Sequence, residues 1–145
     1  MPRYEEKTFL PYKRDEVFDL VADVAKYPEF LPWCVGARIL TRRGNQFDAD
    51  LMIGFSMFRE KFTSRVTLKP HDMLDVEYIR GPLKHLHNRW KFIEQDGGTL
   101  IDFEVDFSFK SAVLEKMIGN LFEDATHKMV AAFVARAEEK LTPSA

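Results

Sequence analysis

Asp102, Glu104 and Asp106 alternate along one stretch and are the first residues whose types and spacing could do chemistry. Two acids held close together can divide general-acid and general-base work. The same alternation gives the opposite face of that stretch to Ile101, Phe103, Val105, Phe107 and Phe109. The acids therefore belong outside, facing His87, Arg89 and Lys91 of the preceding stretch, and read as an ion-paired surface. His85-x-His87 could offer two imidazoles to a metal, but no third ligand is evident, and no metal is expected. Cys34 is the single cysteine, which excludes an internal disulfide and a Cys-based zinc site. No Ser-His-Asp arrangement, P-loop or G-x-G-x-x-G occurs. Catalysis needs polar groups converging in a cleft. The expected interior has almost none, so the chain does not read as an enzyme. Ser64 and Asn88 are its notable polar positions. They either satisfy backbone groups or meet the polar head of an apolar guest.

The elements that must position these groups follow from periodicity. Arg3–Leu10 predicts a strand. "RDEVFDLVADVAKY" predicts a helix, with Val17, Phe18, Leu20, Val21 and Val24 at helical spacing and acids in its first turn. Pro28 and Pro32 then impose a short turn or second helix. A meander follows, carried by Phe47–Phe55, Phe62–Leu68, Leu74–Tyr78, Asn88–Phe92 and Ile101–Phe109, each with one apolar face. Such alternation marks an antiparallel sheet with one side buried. An Asp96-Gly97 turn pairs Lys91 with Asp102, Arg89 with Glu104 and His87 with Asp106 outside. Inside, it pairs Trp90 with Phe103 and Phe92 with Ile101. Ser111 to Leu141 predicts one helix about 45 Å long. Leu114, Met117, Ile118, Leu121, Phe122, Ala125, Met129, Ala132 and Phe133 form its broad apolar face. The expected fold is α+β, a curved antiparallel sheet wrapped round a long C-terminal helix, as one domain over residues 1–145.

Bulk properties narrow the function. A net charge of −2 argues against a general nucleic-acid binder. Nowhere do eighteen apolar residues run together, so no membrane span is expected. The start, "MPRYEEKTFL", resembles neither a signal nor a transit peptide. These features read as a soluble cytoplasmic protein, peripheral at the inner membrane when it meets lipid.

In a meander, alternate turns share one end of the sheet. "YPEFLPWC" (27–34), "GFSMFRE" (54–60), "RGPLKHL" (80–86) and the start of the long helix converge on one end, and all are apolar. Loops are usually polar, so this end is either a plug over a solid core or the gated mouth of a cavity. Exposed apolar patches mark interaction sites. Tyr27, Leu31, Pro32, Met57 and Phe58 are the expected gate.

The order strand, two-part helix, meander, long helix resembles the START-like, helix-grip superfamily, which also holds polyketide cyclases and lipid-transfer domains. "VFDLVADVAKYPEFLPWC" and "GPLKHLHNRWKF" are similar to its coenzyme Q-binding branch, and the similarity covers essentially the whole chain. The same segments are similar to a bacterial ribosome association toxin. The resemblance implies a cavity between sheet and C-terminal helix that holds a prenylquinone (ubiquinone). It implies a chaperone or delivery role in respiratory electron transport or quinone synthesis, and no cofactor. The matching positions are Tyr27, Pro28, Phe30, Leu31, Pro32, Trp33, Cys34, Gly81, Pro82, Leu83, Leu86, Trp90 and Phe92. The apolar pattern adds Leu51, Ile53, Phe55, Val66, Phe103, Val105, Met117, Leu121 and Met129 as lining. The alternative is a toxin-like protein that binds a ribosomal subunit and blocks subunit association. Its basic surface would be Arg38, Arg42 and Arg43, or Lys61, Arg65, Arg89 and Lys91, the latter expected to be neutralised by Asp102 and Glu104.

Overall fold

The computed structural model of the protein describes residues 3–55 and 58–143. β1 (Arg3–Leu10) leads into α1 (Arg14–Ala22) and a 3₁₀ turn (Val24–Glu29). β2 (Cys34–Arg43), β3 (Gln46–Phe55), β4 (Phe58–Lys69), β5 (Met73–Arg80), β6 (Leu83–Gln95) and β7 (Gly98–Phe109) follow as a meander. α2 (Ala112–His127) and α3 (Met129–Lys140) close the chain. The sheet is seven-stranded and antiparallel, in the order β1-β7-β6-β5-β4-β3-β2.

The β6–β7 hairpin has the register that the Asp96-Gly97 turn predicts, with Trp90 opposite Phe103 and Lys91 opposite Asp102. A one-residue slip would move every side chain to the wrong face. Register shifts at Cys34/Gly36, Ile39/Thr41, Thr63/Ser64 and Leu83/His85 interrupt the ladders. Such bulges bend a strand and increase its twist, which lets a flat meander curl around helices. At the β5–β6 turn, Gly81 has φ +146°. A side chain there would press on the Tyr78 hydroxyl, which accepts from the Leu83 amide at 2.8 Å.

The core lies between the concave face of the sheet and the helices. Trp90, Phe92, Phe103 and Phe133 are all at most 2% exposed. Phe18 of α1 stands edge-on to Phe92 at 5.3 Å, sealing one end. Outside, ion pairs cross the strands: Arg65 with Asp48, His87 and Arg89 with Asp75, His85 with Asp106, and Arg3 with Glu104. The neutralising partners of the basic outer face are thus mainly Asp48, Asp50 and Asp75, not Asp102 and Glu104 as expected. The two histidines face different aspartates. Among the described residues no helix is long and apolar enough to cross a membrane.

The C-terminal helix is not continuous. It breaks at Lys128, where φ is −95° and ψ −2°. Thr126 supplies a reason: its hydroxyl donates to the Phe122 carbonyl at 3.0 Å. Threonine bonds of this kind to the preceding turn bend helices.

Candidate functional site

A partly open cavity of about 120 Å³ lies between the sheet and the two C-terminal helices. Its floor is the inner face of β3–β7: Ala49, Leu51, Ile53, Phe62, Ser64, Val66, Val76, Leu86, Asn88, Trp90, Phe103 and Val105. Phe122, Ala125, Thr126, Met129 and Phe133 form its roof, and Val24, Tyr27 and Trp33 close its side. None of these carries a charge at neutral pH. Burial pushes the Tyr27 phenol far above its ordinary value, and its hydroxyl donates to the Val21 carbonyl at 2.5 Å.

Nine expected lining residues meet here: Trp33, Leu51, Ile53, Val66, Leu86, Trp90, Phe103, Val105 and Met129. Tyr27, expected at the gate, joins them. Five others are placed elsewhere. Phe92 is enclosed between the sheet and α1. Leu83 is fully buried at the start of β6, outside the cavity wall. Phe30 packs edge-on to Phe133 at 5.0 Å and lies under the Arg136 guanidinium at 4.9 Å. Met117 and Leu121 turn away from the sheet and are 66% and 45% exposed, because Ile118 and Phe122 occupy the buried side of α2. The Phe55 side chain and Met57 lie outside the described residues.

The apolar loop expected to gate the cavity is a hydrogen-bonded turn. Leu31, at 1% exposure, is core. The Leu31 amide donates to the Tyr27 carbonyl, and the Cys34 amide to that of Leu31. Tyr27 and Phe30 both stand edge-on to Phe133. Arg136 reaches across from α3 to Glu29 at 2.6 Å, and that bond holds the Glu29 carboxyl below the ordinary range. Pro32 is exposed and Phe58 half-buried. The loop therefore sits against α3 and walls the cavity.

Cys34 ends this turn. Burial raises its thiol to about 11 from the usual 9.0. The unfolded chain ionises first, so the stabilisation is full below about pH 9 and falls away between about 9 and 11. Alkylation at pH 8.5 is expected to be slow in the native protein and fast in denaturant. Equal rates in both states would show that the turn is open.

Sequence reasoning missed Val24, Ala49, Phe62, Val76, Phe122, Ala125, Thr126 and Phe133 as lining. For the helix residues the available signal was the Ile118–Phe122–Thr126 row at i, i+4, i+8, which runs parallel to the Met117–Leu121 row and competes with it. On β1, Tyr4, Glu6 and Thr8 share the register of inward-facing Val105, Phe103 and Ile101. Glu6 accepts from both the Tyr4 and Thr8 hydroxyls, and Tyr4 stacks on His127 at 4.2 Å.

A curved antiparallel sheet gripping C-terminal helices around an apolar, uncharged cavity defines a START-like, helix-grip fold. The chain belongs to the polyketide cyclase/dehydrase and lipid transport family, which matches residues 10–134. It is 38% identical to the ribosome association toxin RatA of Rickettsia prowazekii, over 96% of this chain and 98% of that one. It is 31% identical to the mitochondrial coenzyme Q-binding protein COQ10 of Drosophila melanogaster, over 97% of this chain and 60% of that protein. A START superfamily protein from Mycobacterium smegmatis shares the fold with a TM-score of 0.80 at 17% identity, over 94% of this chain and 97% of that one.

Proposed function

We propose that the protein binds a prenylquinone of the ubiquinone type, its ring in the cavity, and carries it to membrane enzymes without transforming it. The observation that carries this reading is a cavity of about 120 Å³ whose wall is apolar except for Ser64, Asn88, Thr126 and the committed Tyr27 hydroxyl. Apolar cavities of roughly 150 Å³ take up benzene, so this smaller, partly open space must widen at its mouth to admit a substituted ring. An acidic lipid would leave its charge unpaired here, which is costly. The described residues of the wall include no charged group that could serve as the acid–base pair of a cyclase reaction.

A polyprenyl tail exceeds this volume and must leave through the mouth. Val113, Met117 and Leu121 stand at i, i+4, i+8 on the exposed side of α2, a row along which such a tail can lie. Met117 and Leu121 thereby keep a place in ligand binding, as a track outside the cavity. Each buried CH₂ contributes about 0.8 kcal/mol relative to water. Relative to a bilayer it contributes almost nothing, so loading needs contact with the membrane and not merely affinity. The COQ10 relative supports the quinone.

Trp33 and Trp90 are the chain's two tryptophans, and both line the cavity. Titration with a short-chain ubiquinone is expected to quench most of the indole emission with saturation at one equivalent. Unsaturable, linear quenching would mean collision rather than occupancy and would remove the quinone reading.

A second reading, ribosome association, is favoured by the RatA relative and by the exposed Arg38, Arg42 and Arg43 on β2, an edge strand. It predicts co-sedimentation with ribosomal subunits that weakens steeply with salt and is lost on changing all three arginines to glutamate.

A further inference from the structure

We infer that the cavity discriminates between the two oxidation states of its guest, taking the carbonyl-bearing quinone in preference to the hydroxyl-bearing quinol, because Asn88 presents it a fixed hydrogen-bond donor. This rests on the quinone reading of the cavity.

The argument begins with Asn88, which is 9% exposed and lines the floor. Its Oδ1 accepts from the Trp90 indole Nε1 at 3.0 Å. An indole N–H can only donate, so the amide cannot flip. Its Nδ2 donates one proton to the Glu104 carbonyl at 2.9 Å. Its one uncommitted proton is the second N–H, while Oδ1 keeps a single further lone pair beside the indole. The Glu104 carbonyl of the sheet and the Phe122 carbonyl of the roof each already accept a side-chain proton, from Asn88 and Thr126.

Ser64 is the second polar group of the floor. It follows the register shift at Thr63/Ser64 and lines the cavity. Ser64 pairs with Tyr78 on β5, while Asn88 pairs with Val76 on the same strand. They are thus two strands and two residues apart, roughly 10–12 Å at standard sheet spacings. A ring with carbonyls at opposite ends, plus a hydrogen bond of about 2.9 Å at each, spans a comparable distance.

A quinone satisfies both groups with its oxygen lone pairs. A quinol can accept from Asn88 too, but its own proton at that end then finds only oxygens already engaged in hydrogen bonds, Asn88 Oδ1 and the Thr126 hydroxyl among them. A buried donor without a partner costs about 1–3 kcal/mol. Ser64 does not discriminate in the same way, since a hydroxyl rotates to donate or accept. The selectivity therefore resides at Asn88.

The test is isothermal titration calorimetry of the full chain with a short-chain ubiquinone and, under anaerobic conditions, its chemically reduced quinol. Heat reads both forms alike, whereas fluorescence quenching does not. The oxidised form is expected to bind on the order of tenfold tighter. Asn88→Asp is nearly isosteric, and its apolar surroundings keep the carboxyl protonated. It retains an oxygen for Trp90 and a proton for the Glu104 carbonyl, and offers the cavity no donor. The ratio is expected to collapse towards one. Ser64→Ala should weaken both forms and preserve the ratio, which checks the assignment with a variant that leaves the Asn88–Trp90 pair intact. Equal affinities in the parent protein, tighter quinol binding, or an unchanged ratio in a folded Asn88→Asp would each overturn the inference while leaving quinone binding in place. Failure of both forms to bind would overturn it together with the proposed function.

Discussion

Replacing Phe133 with alanine is expected to cost about 3–5 kcal/mol of stability, the usual range for removing a buried phenyl. In a chain of this length that lowers the thermal midpoint by on the order of 10 °C. Phe133 is 1% exposed and stands where three parts of the molecule meet. Its ring is edge-on to Trp90 of the sheet at 4.9 Å, to Tyr27 at 5.3 Å and to Phe30 at 5.0 Å. Edge-to-face pairs add about 0.5–1.5 kcal/mol beyond area burial. One side chain thus touches sheet and loop from α3, beside the Arg136–Glu29 bond that also ties the loop to that helix. Because Phe133 also lines the cavity, its loss enlarges the binding space. Saturating short-chain quinone should therefore restore more stability to the variant than to the parent. Chemical denaturation with and without quinone measures both effects. A loss below 1 kcal/mol would mean that the loop is held by something else.

The second large effect is on binding. Ala49 is 2% exposed, lies on β3 opposite Ser64 and lines the cavity floor. In Ala49→Phe a phenyl group takes the place of the guest. Quinone affinity is expected to fall by at least about a hundredfold, equivalent to roughly 2.7 kcal/mol. Stability should change little. Filling a void commonly adds about 0.5–2 kcal/mol, and forcing a ring into imperfect space costs about 1–3. The two variants separate fold from function: Phe133→Ala destabilises and still binds, Ala49→Phe stays folded and does not. A folded Ala49→Phe that retained full affinity would place the quinone outside this cavity.

Much of this architecture is legible in the residue order, and the failures have identifiable causes. Strand faces are read reliably because period-two alternation is strict and a slip is punished on both sides of the sheet. Hence Trp90 meets Phe103 where expected. The C-terminal helix offers no such restraint. Leu114, Met117, Ile118, Leu121, Phe122 and Ala125 cover an arc of about 140° of the helical wheel, at 100° per residue. That is wider than the strip a sheet can bury, so two neighbouring rows compete. Ile118 and Phe122 win, while Met117 and Leu121 remain exposed. The break at Lys128 depends on one hydroxyl choosing its own helix as partner, a choice that no periodicity reports. The loop's apolar residues were evident, but their partner was not. Phe133 lies about a hundred residues downstream in a helix that could have turned several ways. The polar pair of the floor was visible as two exceptions to an apolar pattern. Which atoms of Asn88 are free depends on Trp90 and Glu104, and only the folded geometry shows that.

The claim on which the rest depends is that the cavity holds a prenylquinone. The most direct measurement is organic extraction of protein purified without detergent, followed by mass spectrometry of the extract. The account predicts a prenylquinone at close to one equivalent from the parent protein and none from Ala49→Phe. Phospholipid in its place, or an empty extract from a protein that also takes up no quinone from loaded liposomes, would contradict it.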